Sequence, residues 1–125
     1  MLAGEAFSAR QVEEIARAAR GAGERSGLYF SVFVGRSEAE PSVYAERLLA
    51  ALGERSADGV VLHVDPTARR VEIVTGRLAA RRLDDSSCGL ASLSMTSAFS
   101  GGDLTGGIIT GLRMLGDSAV SVPAP

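Results

Sequence analysis

Residues 59–75 read GVVLHVDPTARRVEIVT, in which two apolar runs flank the segment DPTA at 65–68. Each run is too short for an ordinary helix and is rich in β-branched residues, as strands are. The segment between the runs has turn chemistry, because proline presets φ and aspartate hydrogen-bonds its own backbone. We therefore predict two antiparallel strands, Gly59–Val64 and Val71–Thr75, joined as a hairpin.

A third apolar run, Leu28–Val34, precedes the hairpin and is bounded by glycines. Both of its faces are largely apolar, which favours a central strand covered on each side. Between the two runs, Ser37 and Glu40 have capping-box spacing, and apolar residues then recur at helical spacing up to Gly53. A helix between two strands favours a right-handed crossover and a parallel pair. The sheet is therefore predicted to be mixed, with a βαβ unit followed by the hairpin.

Three further helices are predicted around this sheet, at about residues 8–23, 84–99 and 103–116. Ser8 and Gln11 have the spacing of a capping box, and Asp84 and Asp103 can each cap a helix. Residues 117–125 are expected to form a frayed C-terminal tail. The predicted fold class is α/β: an α/β/α sandwich with a small mixed β-sheet flanked by about four helices.

Composition restricts the function. The chain has 125 residues with 13 basic and 15 acidic side chains, which fits one domain with no general attraction to nucleic acid. The single Cys88 excludes a disulfide framework and a multi-cysteine metal site. No window approaches the roughly 20 apolar residues of a membrane span, and the start lacks the pattern of a signal peptide. We expect a cytoplasmic protein with no nucleic-acid partner and no membrane span.

Two single side chains are candidates for chemistry. His63 is the only histidine, but the sequence offers no second histidine or paired cysteine to complete a transition-metal site, which favours a hydrogen-bonded structural role. Cys88 lies near a predicted helix N-terminus, which can lower the pKa of a thiol. Its place on an apolar stripe favours a small core residue instead.

The glycine-rich segment 101–107 could cradle a phosphate at the start of a helix. It lacks the lysine of a P-loop and the preceding strand of a dinucleotide site. Glycines inside a helix cost about 1 kcal/mol each relative to alanine, so they need a reason. Close packing of this helix is the interpretation we favour.

Five arginines form the one basic cluster of the chain: Arg69, Arg70, Arg77, Arg81 and Arg82. Arg77, Arg81 and Arg82 lie in the connection after the third predicted strand, and arginine matches phosphate and carboxylate groups with paired N–H donors. Nucleic-acid platforms require aromatic residues on which bases stack, and no aromatic residues accompany this cluster. A small anion or an acidic protein partner is the ligand that these residues predict.

Carboxylates offer a different site. Five aspartates at strand ends, turns and caps could converge on a hard cation such as calcium or magnesium: Asp58, Asp65, Asp84, Asp85 and Asp103. Each of them also has a local turn or capping role. Both interpretations stay open at this point.

The order of elements resembles that of the TPM domain, a family with thylakoid and bacterial members. The matching motifs are Asp58-Gly59-Val60-Val61-Leu62, Arg70–Gly76, GGDLTGGI at 101–108 and Gly111-Leu112. The resemblance spans about residues 7–116 and is most similar to a compact branch of unknown function from GC-rich bacteria. It implies an α/β/α sandwich. For some members it implies acid-phosphatase activity or divalent-cation binding in an acidic groove, and for others a non-enzymatic role in assembly or quality control.

Three departures from that family pattern concern the acidic groove. Ala57-Asp58-Gly59 stands where the family usually has Asp-Asn-Gly, Val74 stands where it usually has glutamate, and GRLAA at 76–80 replaces Gly-x-Gly-Leu-Glu. The arginines that follow would repel a cation.

Two functions are therefore predicted from the sequence. The first is a non-enzymatic module without a cofactor that binds a protein partner or a small anion at Arg77, Arg81 and Arg82. The alternative is an acid-phosphatase-like hydrolase that depends on calcium or magnesium held by Asp58, Asp65, Asp84 and Asp85.

Overall fold

A computed structural model describes residues 7–122 of the chain. Its helices are α1 (Ala9–Ser26), α2 (Pro41–Ala50), α3 (Asp85–Ser100) and α4 (Leu104–Val120), and its strands are β1 (Tyr29–Val34), β2 (Gly59–Asp65) and β3 (Arg70–Thr75). Short 3₁₀ turns occupy Gly53–Arg55 and Ala79–Arg81. The predicted α/β fold with a small mixed sheet is confirmed. No helix among residues 7–122 is long and apolar enough to cross a membrane.

The sheet has the order β1-β2-β3. β1 runs parallel to β2 and β3 runs antiparallel to it, so that Val32 pairs with Leu62 and Leu62 with Ile73. β2 is the central strand, and six of its seven residues are buried. The prediction that Leu28–Val34 is central was wrong, because β1 lies at an edge. The apolar side chains of β1 show that helices cover the faces of the strand. Cover of the faces does not require that a neighbouring strand pairs with each of its two edges.

The helices are distributed unequally over the two faces of the sheet. On one face α2 packs against β2 and β3, and its Ala45 and Leu49 are buried. On the other face α1 contacts β1, α3 contacts β3, and α4 packs against both helices. The main core lies on this second face and includes Ile15, Phe30, Val32, Leu62, Met95, Ile108, Leu112 and Leu115.

Two helices extend beyond the glycines at which they were predicted to end. α1 continues through Gly23 and ends at Gly27, whose φ of 80° is left-handed. α4 continues through Gly116 to Val120, and Ala119 is fully buried. A Cβ at Gly116 would lie 3.1 Å from the Cβ of Ala22 in α1, so this glycine permits close packing and does not end the helix. The predicted tail therefore cannot begin at residue 117, and its last residues, 123–125, lie outside the described part of the chain.

The helix starts follow local signals. Ser8 and Gln11 form the predicted capping box, with bonds of 2.9 and 3.1 Å. α2 begins later than the Ser37 and Glu40 spacing suggested, because Glu40 itself is the N-cap and accepts from the N–H of Val43 at 3.2 Å. Side chains within one turn thus determine where each helix begins.

Candidate functional site

The guanidinium of Arg82 donates hydrogen bonds to main-chain carbonyl oxygens. It donates to the carbonyl of Ser26 and to that of Ala119 at 2.8 Å, and its Nε donates to the carbonyl of Val122 at 3.2 Å. These carbonyls lie at the C-terminal ends of α1 and α4. Arg82 therefore joins two helix ends and is not available to an anion in the way that the sequence predicted.

Arg77 and Arg81 are exposed, and among residues 7–122 neither makes a side-chain hydrogen bond or an ion pair. Arg77 lines a shallow depression that also contains Glu46. A carboxylate beside Arg77 would oppose a bound anion. Arg77, Arg81 and Arg82 are therefore close in sequence, but the structure does not direct their side chains to one common anion site.

The four aspartates of the alternative hypothesis serve separate local roles. Asp58 precedes β2 and Asp65 ends it, which places them about 23 Å apart along an extended strand. Asp65 accepts from the N–H of Ala68 at 3.1 Å within the hairpin turn. Within residues 7–122 no group of three or more His, Cys, Asp or Glu residues is placed to hold a metal ion. These aspartates therefore do not form one cation site.

Asp84 is the N-cap of α3 and accepts from the N–H of Ser87 at 2.8 Å. That hydrogen bond holds the pKa of the Asp84 carboxyl below its ordinary value. Burial raises the pKa of the nearby Cys88 thiol, and the charges of Asp85 and Asp84 raise it further. Cys88 is therefore not an activated thiolate, although it lies in the first turn of a helix.

His63 is 3% exposed and lies in the central strand. Its Nε2 is 2.9 Å from the carbonyl oxygen of Gly35, which can only accept, so Nε2 carries the proton. The ring of Tyr44 meets the imidazole edge-on, with 5.1 Å between ring centroids. His63 thereby ties β2 to the end of β1 and to α2.

Gly107 and Gly111 of α4 lie against α3 and not against the sheet. A Cβ at Gly107 would come within 2.9 Å of the Cβ of Ala98, and one at Gly111 within 2.6 Å of the Cγ of Met95. Asp103 uses its side chain to accept from the N–H of Gly106 at 2.9 Å. This segment therefore packs two helices together, and its capping carboxylate occupies the place that a phosphate would need.

No strand among residues 7–122 pairs with the outer edge of β1. The N–H of Tyr29 donates to the carbonyl of Asp58 at 2.8 Å, and that of Gly35 donates to the carbonyl of Val64 at 2.9 Å. Alternate residues of a strand direct their main-chain polar groups to opposite sides. Phe30, Val32 and Val34 accordingly direct their N–H and C=O groups away from β2, where no strand of the described chain pairs with them.

A groove of about 290 Å³ runs beside this edge. α1 contributes Ile15 and the small residues Ala16 and Ala19, which leave room next to the strand. Arg20 and Arg55 border the groove, and no carboxylate is among the described residues that line it. Arg20 and Arg55 were not predicted from the sequence, because only the position of β1 at an edge gives them a common location.

The outward face of α3 is a second exposed feature. Leu90 is 58% exposed and Leu93 is 67% exposed, and residues 86–102 contain no charged side chain. This face offers apolar area and serine hydroxyls, but no charged group that would orient a ligand. The β1 edge combines a groove, unpaired main-chain groups and charge, and we take it as the candidate site.

The fold defines a class of small α/β domains with solved members. BA42 from the psychrophilic bacterium Bizionia argentinensis has a TM-score of 0.82 at 17% identity, covering 95% of this chain and 86% of that one. The N-terminal domain of cg2496 from Corynebacterium glutamicum has a TM-score of 0.73 at 17% identity, covering 95% and 78%. The N-terminal domain of a P. gingivalis protein has a TM-score of 0.78 at 20% identity, covering 91% and 78%. At these identities the likeness concerns the fold alone.

The chain belongs to the family described as Domain of unknown function (DUF5130), whose model matches residues 2–116. No curated protein sequence matches it significantly. The resemblance to the TPM domain was therefore wrong, and the expectation of a phosphatase fold that came with it has no support. Short glycine motifs at strand ends and helix starts arise from local packing needs, so they recur in families that share no site.

Proposed function

We propose that this chain is a non-enzymatic protein-interaction module that binds an extended segment of a partner protein at the open edge of β1. The observation that carries the proposal is the outward direction of the main-chain groups of Phe30, Val32 and Val34 beside a groove. An extended peptide satisfies such groups by adding a strand to the sheet. Main-chain hydrogen bonds then provide affinity, and the groove receives alternate side chains.

The composition of β1 supports this edge as a binding edge. Natural edge strands are protected from pairing by proline, charged side chains or bulges. β1 reads YFSVFV and has none of these, and its pairing with β2 is continuous from Tyr29 to Val34. The other outer strand, β3, carries Arg70 and Glu72 and so has the usual protection.

The distribution of reactive groups supports a role without catalysis. The imidazole of His63 is buried in a structural hydrogen bond, and the pKa of Cys88 is raised. Asp65 and Asp84 each accept a main-chain hydrogen bond in a turn or cap. The hydrolase alternative would need these groups to converge, and no observation favours it.

Val32→Pro provides the test, because the N–H of Val32 points outward and is not used within the sheet. We expect peptides selected from a random decapeptide display library on the wild-type protein to lose binding to this variant. The control is Leu93→Ser, which changes the exposed face of α3 and should leave binding intact.

Two outcomes would overturn the proposal. One is that no peptide is enriched on the wild-type protein, and the other is that the enriched peptides depend on Leu93 and not on Val32. If Val32→Pro fails to fold by circular dichroism, Ala16→Gln replaces it. That variant fills the groove from α1 with a good helix former and leaves the strand unchanged.

A further inference from the structure

We infer that the segment bound at the β1 edge is acidic, with carboxylates on neighbouring residues that lie near the Tyr29 end of the groove. This inference rests on the proposed function and identifies the chemistry of its partner.

The two arginines lie on opposite faces of the sheet edge. Arg20 belongs to α1, which packs on the face that buries Phe30 and Val32. Arg55 belongs to the 3₁₀ turn after α2, and its guanidinium lies 4.3 Å from the ring centroid of Tyr29. Side chains of successive strand residues point to opposite faces. Two adjacent residues of an added strand would therefore meet Arg20 on one face and Arg55 on the other.

Both guanidinium groups can donate hydrogen bonds to a carboxylate of a bound segment. Arg55 makes no ion pair among residues 7–122, and its stacking on Tyr29 fixes the plane of the group while its edge remains available. Arg20 pairs with Glu13 at 3.4 Å, but both side chains are more than half exposed. Exposed pairs of this kind contribute little and exchange readily.

The surroundings of the groove favour negative charge. Three glutamates come near the groove, Glu13 through its ion pair with Arg20 and Glu24 and Glu54 as sequence neighbours of groove residues, but none of the three lines the groove. A carboxylate placed there would meet two positive groups beside an apolar wall, where screening by water is reduced. An arginine fork can also bind a carboxylate through two parallel hydrogen bonds.

Charge also argues against a second copy of this chain as the occupant. The β1 strand of a second copy reads YFSVFV and carries no carboxylate, so its pairing with this edge would leave Arg20 and Arg55 without an acidic partner on the added strand. A different chain that carries carboxylates can pair with both arginines.

The test uses the peptides that bind the wild-type protein and fail to bind Val32→Pro. We expect these peptides to be enriched in Asp and Glu over the starting library. Replacing Glu by Gln and Asp by Asn in a selected peptide should weaken its binding, measured by fluorescence anisotropy, by about fivefold, as the double variant Arg20→Gln, Arg55→Gln should. The matched control, Arg17→Gln with Arg47→Gln, removes two exposed arginines outside the groove and should change Kd less than about twofold.

The outcomes separate the inference from the proposed function. Peptides that require Val32 but show no acidic enrichment, or that bind the double variant unchanged, would overturn the acidic partner and leave the binding edge standing. Failure to enrich any peptide would overturn the binding edge and the inference together. Light scattering on the protein alone covers the remaining case, since a dimer that Val32→Pro converts to a monomer would identify a second copy as the occupant and overturn the inference.

Discussion

Replacement of Arg82 by methionine is expected to destabilise the fold without affecting the binding edge. The guanidinium donates to the carbonyls of Ser26 and Ala119, which belong to buried residues at the ends of α1 and α4. Methionine preserves much of the apolar stem but cannot donate a hydrogen bond. Two carbonyls in partly buried surroundings then lose their partner.

The size of the effect follows from those two bonds. A hydrogen bond to a charged group contributes about 1.5 kcal/mol at the lower end of its range, so the loss is about 3 kcal/mol. The third bond, to the exposed Val122, is replaced by water and adds little. For a chain of this size, 3 kcal/mol corresponds to a fall in Tm of about 12 °C.

Urea and thermal unfolding followed by circular dichroism measure this change. Arg81→Met is the control, because it removes the same charge from the adjacent exposed position and is expected to stay within about 0.5 kcal/mol of the wild type. Equal stability of the two variants would refute the role of Arg82 as a link between helix ends.

Three further predictions concern packing, pH and reactivity. Gly111→Leu should cost about 1–3 kcal/mol because it overpacks Met95, whereas Gly89→Ala, which meets nothing within 4 Å, should gain up to about 1 kcal/mol; melting temperatures that rise in both variants would contradict this packing. Asp84 has a folded-state pKa below its unfolded value, so its stabilisation is present above the unfolded pKa and is lost as pH falls through the folded pKa. Asp84→Ala should therefore be less stable than the wild type at neutral pH and equal to it in strong acid, and a difference independent of pH in urea titrations would contradict the capping role. Cys88 should react with iodoacetamide more slowly in the folded protein than in urea at the same pH, and equal rates by mass spectrometry would show that burial does not raise the pKa of its thiol.

The features that the sequence predicted well depend on neighbouring residues. The turn at 65–68 joins β2 and β3 as a hairpin, and Ser8, Asp84 and Asp103 cap the helices that they were expected to cap. Each of these features needs only side chains and backbone groups within one turn. Local chemistry alone is sufficient to place them.

The features that the sequence did not predict depend on contacts between distant segments. Gly116 resembled a helix end, but the neighbour that explains it is Ala22 in another helix. Arg82 resembled part of an anion site, but its acceptors belong to Ser26 and Ala119. A residue type indicates what a group can do, and the tertiary structure decides which partner it meets.

The candidate site shows the same division. The apolar run at 28–34 was sufficient to predict a strand with two covered faces, because side-chain periodicity reports burial of faces. It could not indicate that β1 lies at an edge, since every residue has the same main-chain N–H and C=O groups whether or not a neighbouring strand pairs with them. The sequence therefore determined the elements and their order along the chain. Only the tertiary structure decided that β1 has an open edge and that Arg20 and Arg55 lie on either side of it, because both facts depend on where separate elements pack.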